Sequence, residues 1–262
     1  MARRAREKSA TGIYHVMLRG INRQNIFEET VDYVRFRELL FQMAWPVDDT
    51  GKTLPPRCTF YAYCLMSNHV HLLIREGAED VASVVKRIGT TYALYYNKKY
   101  QHFGHLFQDR FKSETVNDND YFFTLLRYIH QNPIPAGIAE TVSDYQWSSW
   151  SEYERAGIGI QTICNTKPVL DRMPIDELRE LVNEPLPKTV MVLDYDSGST
   201  ARSDDELKVY LRSVFGIQRP ADLQQISREQ RDDILRQLKM YGASIRQISR
   251  LTGISFTLVR LA

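Results

Sequence analysis

The sequence predicts an α+β fold, an antiparallel sheet with helices packed on one face, followed by a mostly helical C-terminal region. Three observations predict it. Short apolar and aromatic runs of strand type alternate with longer runs at helical spacing. Two of the strand-like runs are separated only by Ser67-Asn68, the length of a hairpin turn. Beyond residue 204 the pattern is helical throughout.

The elements follow in order. Residues 13–18 are apolar and bounded by Gly12 and Gly20, which reads as a strand. Residues 30–44 space Val31, Val34, Leu39, Leu40 and Met43 as one helix face, with Thr30 as the expected cap. Residues 48–56 carry Gly, Asp, Thr and two prolines and read as a loop. Residues 58–66 and 69–75 form the hairpin, 80–99 a long helix closed by Lys98 and Lys99, where the helix dipole favours cations. Residues 111–116 read as a further strand and 117–131 as a helix stopped at Asn132-Pro133. Strand, helix, hairpin, helix, strand is the order of a ferredoxin-like sheet. This assigns residues 1–150 to a first domain. Residues 151–205, with four prolines and one short helix expected near 175–181, read as a connecting region, and residues 206–262 as a helical module.

Composition narrows the function classes. The chain has 262 residues, 43% hydrophobic and 25% charged, which excludes a wholly disordered chain, a collagen-like polymer or a small disulfide scaffold. Lys and Arg number 34 against 32 acidic residues, so any polyanion partner must be held by local patches. Three cysteines, Cys58, Cys64 and Cys164, show no close metal-type pair and fit a reducing, cytoplasmic compartment. No apolar run of signal-peptide or membrane-spanning length occurs.

The sharpest chemical feature is His69-Val70-His71. Residues two apart on a strand share a face, roughly 6–7 Å apart, so both imidazoles can converge on one ion while Val70, Leu72 and Ile74 face the core. A second feature is Tyr128 and Asn132, four apart on one helix face. Tyr128 can supply a phenolic nucleophile and Asn132 a neutral oxygen ligand. His130 lies about 200° round the helix from Tyr128 and is excluded from that site. Two imidazoles with a carboxamide oxygen suit Mg²⁺ or Mn²⁺ better than structural zinc. Because Asn132 precedes Pro133, an α conformation there is disfavoured.

Together these residues resemble the single-tyrosine HUH transposases of bacterial insertion sequences. Gly12-Ile-Tyr-His-Val16, Arg19-Gly-Ile-Asn-Arg-Gln24, Tyr96-Asn97 and the run from Gly104 to Arg110 are similar to the branch called REP-associated tyrosine transposases. The resemblance spans roughly residues 10–150. It implies a ferredoxin-like catalytic domain acting on single-stranded, hairpin-bearing DNA in the bacterial cytoplasm, at the nucleoid. It also implies His69, His71 and Asn132 as metal ligands for Mg²⁺ or Mn²⁺, and Tyr128 as the nucleophile of a 5′-phosphotyrosine intermediate. The loop at residues 48–56 departs from the pattern.

Other features point to nucleic acid. Arg3, Arg4, Arg6 and Lys8 form a basic arm suited to phosphates or a groove. Arg19, Arg23 and Arg110 lie near Tyr14, Phe107 and Phe111, a mixture suited to stacking bases and neutralising phosphates. Tyr92, Tyr95, Tyr96 and Tyr100 follow helical spacing and are expected in the core or lining a groove. His15, His102 and His105 have no assignable partner and are expected to be structural or peripheral. Residues 243–259 read as a helix-turn-helix, with Gly253 in the turn, Ser255 as a cap, and Arg246, Phe256, Thr257 and Arg260 towards DNA. One nucleophilic tyrosine per chain and two cuts per excision suggest a homodimer, although successive reactions in a monomer also suffice. Two rival readings stand beside this one: a catalytically silent DNA-binding regulator of the same fold, and a metal phosphodiesterase on small nucleotides, which lacks an evident carboxylate base.

Overall fold

Four strands, β1 (Ile13–Arg19), β2 (Cys58–Met66), β3 (His69–Glu76) and β4 (Lys112–Val116), form one sheet in the order β2-β3-β1-β4. All three pairings are antiparallel. The helices α1 (Thr30–Ala44) and α2 (Val81–Tyr100) cross between strands, and α3 (Asn119–Gln131) follows β4. The computed structural model describes residues 7–108, 110–187, 192–193, 204–241, 243 and 245–261. Of the anticipated DNA contacts, Arg3, Arg4 and Arg6, and the side chain of Arg246, lie outside the described residues. The chain divides into two compact units, Met1–Leu193 and Asp194–Ala262.

Alternation along the strands sorts the first unit into two cores. Val16, Leu18, Val70, Leu72 and Ile74 face α1 and α2, meeting Phe36, Leu40, Val84, Ile88 and Tyr92. The opposite face of the sheet, with Cys64, Met66, Leu73 and Val116, is covered by Phe122, Leu125, Leu126 and Ile129 of α3. The two crossover helices thus share one face as expected, and α3 covers the other. In β2 the register shifts between Phe60 and Ala62. This bulge lets the consecutive residues Tyr61 and Ala62 join the α3-side core.

The start of α1 differs from the expected Thr30 cap. The cap is Glu29, and the Asp32 carboxylate accepts from the backbone N–H groups of Glu28 and Glu29 at 2.9 and 3.0 Å. Asp32 also receives the hydroxyls of Tyr95 and Tyr100 and the Lys99 ammonium at 2.7–2.8 Å. These donors outweigh desolvation and hold its pKa down at about 2. The tyrosines of α2 therefore tie the end of that helix to the beginning of α1.

The stretch after the sheet carries α4 (Trp150–Glu154), α5 (Lys167–Leu170) and α6 (Ile175–Asn183). Tyr153, Val169, Leu178 and Val182 are buried in the α3-side core. The second unit contains α7 (Asp204–Phe215), α8 (Arg228–Met240), α9 (Ile245–Thr252) and α10 (Phe256–Leu261) around Leu211, Leu223, Leu235, Leu238, Ile248 and Val259. Gly253 joins α9 to α10 with φ +72°, a left-handed conformation natural to glycine. Among the described residues no helix is long and apolar enough to cross a membrane.

Candidate active site

The α3-facing side of the sheet carries a row of polar rings on its two central strands. Register sets Arg19 opposite His69 and Met17 opposite His71 on β1 and β3, while His15 lies opposite Glu114 on β4. Asp118 caps α3 by accepting from the Tyr121 N–H at 2.7 Å. From this anchored start, the helix carries Tyr128 over the histidines. The Tyr128 ring meets His71 edge-on at 5.4 Å and His15 at 6.0 Å between centroids. His69 in turn stands edge-on to His71 at 4.9 Å. The predicted nucleophile and both predicted imidazole ligands are therefore brought together within one chain.

The hydrogen bonds determine which ring nitrogens are available. The His15 Nδ1–H donates to Glu114 Oε1 at 2.7 Å, and His15 Nε2 lies 3.0 Å from His71 Nδ1. His71 is fully buried, and its Nε2 has no hydrogen-bond partner among the described residues. Burial, assisted by His69, His15 and the Arg19 charge, pushes the His71 pKa well below the ordinary 6.5 and keeps the ring neutral. His69 donates from Nδ1 to the Asn68 side-chain oxygen at 2.6 Å. Asn68 also donates from Nδ2 to the Arg23 carbonyl at 3.3 Å, linking His69 to the turn after β1. That turn closes tightly, since a Cβ on Gly20 would lie 2.2 Å from the Gln24 carbonyl oxygen.

Asn132 adopts the αR conformation (φ −49°, ψ −38°) despite the following proline, and its Nδ2 donates to the Tyr128 carbonyl at 2.8 Å. Among the described residues no group of three His, Cys, Asp or Glu side chains is placed to hold an ion. The donors at hand are imidazole and amide. A buried neutral imidazole whose Nε2 meets no hydrogen-bond partner among the described residues fits a divalent ion, and a third ligand would have to be of another type, as Asn132 is.

Several expectations change. His15, expected to be structural or peripheral, lies in the site. Its signal was its position on the same face of β1 as Arg19. Tyr14 and Phe111 are 4% and 9% exposed and Phe107 packs on the α1–α2 core, so these rings are not stacking surfaces. Phe103, 92% exposed, is the aromatic turned outward in that loop. Arg19 is buried, Arg23 half-buried and Arg110 exposed. Arg127 reaches away from the site to the Glu184 and Pro185 carbonyls at 2.6 and 3.1 Å. In the second unit Thr257 and Arg260 are exposed, whereas Arg228, Arg231, Arg236 and Arg250 pair with Asp232, Asp233 or Asp204.

His130 is set apart from the site as expected. Its Nδ1–H donates to the Leu126 carbonyl at 2.9 Å, and Nε2 accepts from the Ser149 hydroxyl at 2.8 Å. Burial lowers its pKa from 6.5 to about 4. The unfolded chain therefore takes up this proton first as the pH falls. Its contribution is intact above the unfolded value and is lost between there and about pH 4, amounting to about 2 kcal/mol at pH 5. Urea titrations at pH 7 and pH 5 are expected to show a smaller acid loss in His130→Gln than in the wild type. An equal loss would assign the pH dependence elsewhere.

Residues 8–132 match the family model described as IS200-like transposase. The matched stretch is just under half of the chain, and over it the sequence is similar to the IS200-like transposases. The solved structure of a REP-associated tyrosine transposase bound to a REP hairpin is similar over 62% of this chain and 90% of that one, with 18% identity and a TM-score of 0.46. No curated protein matches the chain.

Proposed function

We propose that this protein is a single-tyrosine transposase of the REP-associated branch. It cleaves and rejoins single-stranded DNA near hairpins through a 5′-phosphotyrosine intermediate. The observation that carries the reading is the edge-on packing of the Tyr128 ring against His71 inside one chain. Tyr128 oxygen attacks the scissile phosphorus, the P–O3′ bond breaks, and the departing O3′ takes a proton to become a free 3′-hydroxyl. Attack of a 3′-hydroxyl on the tyrosyl phosphodiester reverses the step and rejoins strands, so no nucleotide cofactor is consumed. His69, His71 and Asn132 would hold Mg²⁺ or Mn²⁺, which when bound supplies charge to the scissile phosphate. The buried Arg19 beside His69 adds positive charge, which favours both the phosphodiester and a phenol losing its proton.

Around this centre Arg23, Arg110 and the basic arm with Arg3, Arg4 and Arg6 would contact phosphates, and Phe103 offers an exposed face for a base. Arg246, Thr257 and Arg260 would serve duplex contacts from a helix-turn-helix module. The reaction belongs to the cytoplasm, at the nucleoid. Because one chain holds the tyrosine and both histidines, a homodimer would coordinate two cuts rather than complete a site.

The test is incubation with a labelled hairpin oligonucleotide carrying a single-stranded foot, with Mn²⁺. The expected products are a denaturant-resistant protein–DNA adduct on the fragment bearing the 5′-phosphate and a released fragment ending in a 3′-hydroxyl, both lost with chelator. Tight binding without cleavage under any divalent metal would favour the silent regulator. Turnover without an adduct would favour the phosphodiesterase.

A further inference from the structure

We propose that Glu114 and His15 form a relay that fixes the tautomer of His71 and so presents its Nε2 lone pair to a divalent cation. Both are positioning residues, and the inference rests on the metal-dependent reading above.

The relay crosses three adjacent strands on the α3 side of the sheet, from Glu114 on β4 through His15 on β1 to His71 on β3. Its direction is set at the Glu114 end, because a carboxylate can only accept. The 2.7 Å contact therefore puts the His15 proton on Nδ1. With that single proton on its ring, His15 has a lone pair on Nε2, and the 3.0 Å contact then has His71 donating from Nδ1. The remaining His71 lone pair lies on Nε2. The opposite tautomer would set two lone pairs against each other across that 3.0 Å gap and leave a buried N–H with no acceptor among the described residues.

The carboxylate is itself held, by the Leu193 N–H at 3.2 Å and by the Tyr121 hydroxyl. His130 supplies the contrast. It is an equally buried histidine, yet both of its nitrogens are satisfied within the protein. His71 is satisfied on one side and left open on the other. A carboxylate that orients a histidine through its ring N–H is the usual outer support of a metal-bound imidazole, and its loss costs 10–100-fold in affinity. Here a second histidine is interposed.

Two measurements test this. Long-range ¹H–¹⁵N correlation of histidine-labelled, metal-free protein should show His71 protonated at Nδ1, and Mn²⁺ binding without DNA should be measured by loss of the free-ion EPR signal. His15→Leu is expected to weaken Mn²⁺ binding by about 10–100-fold and to shift His71 towards the other tautomer. His15→Gln, whose side-chain oxygen can accept from His71 Nδ1, should restore most of both. Should His15→Leu fail to fold, Glu114→Leu asks the same question from a side chain that is 24% exposed. Unchanged Mn²⁺ affinity in the folded variants, or a wild-type His71 protonated at Nε2, overturns the relay. Wild-type protein that shows the Nδ1–H tautomer yet binds no Mn²⁺ overturns the metal reading, and the relay's purpose with it.

Discussion

Tyr128→Phe is expected to abolish both the covalent adduct and strand cleavage, lowering cleavage by roughly 10⁴-fold or more, the scale seen when a covalent nucleophile is removed. The substitution deletes one oxygen. The phenyl ring keeps its edge-on approach to His71 and His15 at 5.4 and 6.0 Å, so the site is otherwise preserved. Hairpin binding should persist, because the arginines and the two predicted imidazole ligands are untouched. Electrophoresis under denaturing conditions reads the adduct, and fluorescence anisotropy reads binding. Adduct formation at the wild-type rate would remove Tyr128 from the nucleophile's role while leaving the fold assignment standing. A phenol has an ordinary pKa of about 10, so the site must favour its ionised form during attack. The buried Arg19 charge and a divalent ion would act in that direction, whereas Arg127, the nearest cation in sequence, is occupied by the Glu184 and Pro185 carbonyls.

The sequence made the strands and helices of the first unit legible because each has its own period. The expected limits of α1 and β2 agree with those observed, and the alternation of β3 correctly separated His69 and His71 from Val70, Leu72 and Ile74. The helical spacing of α3 likewise separated Tyr128 from His130. Features that depend on register between distant strands were not legible. His15 and Glu114 are 99 positions apart, and the period of β1 alone gives the face of His15 but not its neighbour. Asn68 looked like a turn residue because its role, bridging His69 to the Arg23 carbonyl, exists only once the hairpin turn meets the loop after β1. The Thr30 cap failed for a related reason. Asp32 gathers donors from α2 as well as from its own helix start, and that tertiary gain outweighs a local threonine cap. The aromatic neighbours of Arg19 and Arg110 were adjacent in sequence but turned into the core, which proximity along the chain does not reveal.

Cutting the chain at residue 150 should yield a protein that does not fold cooperatively, whereas residues 1–193 should unfold in a single sharp transition. Composition suggests a boundary at 150, since prolines follow and helical spacing weakens. The packing argues otherwise. Trp150, at 1% exposure, stacks on Tyr153, and Tyr153 donates its hydroxyl to the Tyr61 carbonyl on β2 at 2.6 Å. Glu152 accepts from the Tyr63 hydroxyl at 2.9 Å and from the Cys164 N–H at 2.7 Å, and the Asn165 N–H bonds the Phe60 carbonyl at 2.8 Å. The segment thus covers the outer edge of β2, which would otherwise present unpaired backbone groups. Leu178 and Val182 of α6 are fully buried in the core shared with α3. Burial of Tyr153, Val169, Leu178 and Val182 is worth about 1.5–3 kcal/mol each, together of the order of 10 kcal/mol, comparable with the whole stability of a typical domain. Its loss would also strip the outer surface of α3, the helix that carries Tyr128, so the shorter fragment should form no adduct. Thermal unfolding followed by near-ultraviolet circular dichroism distinguishes the two fragments. A sharp transition for residues 1–150 would show that α3 and the sheet hold the site unaided.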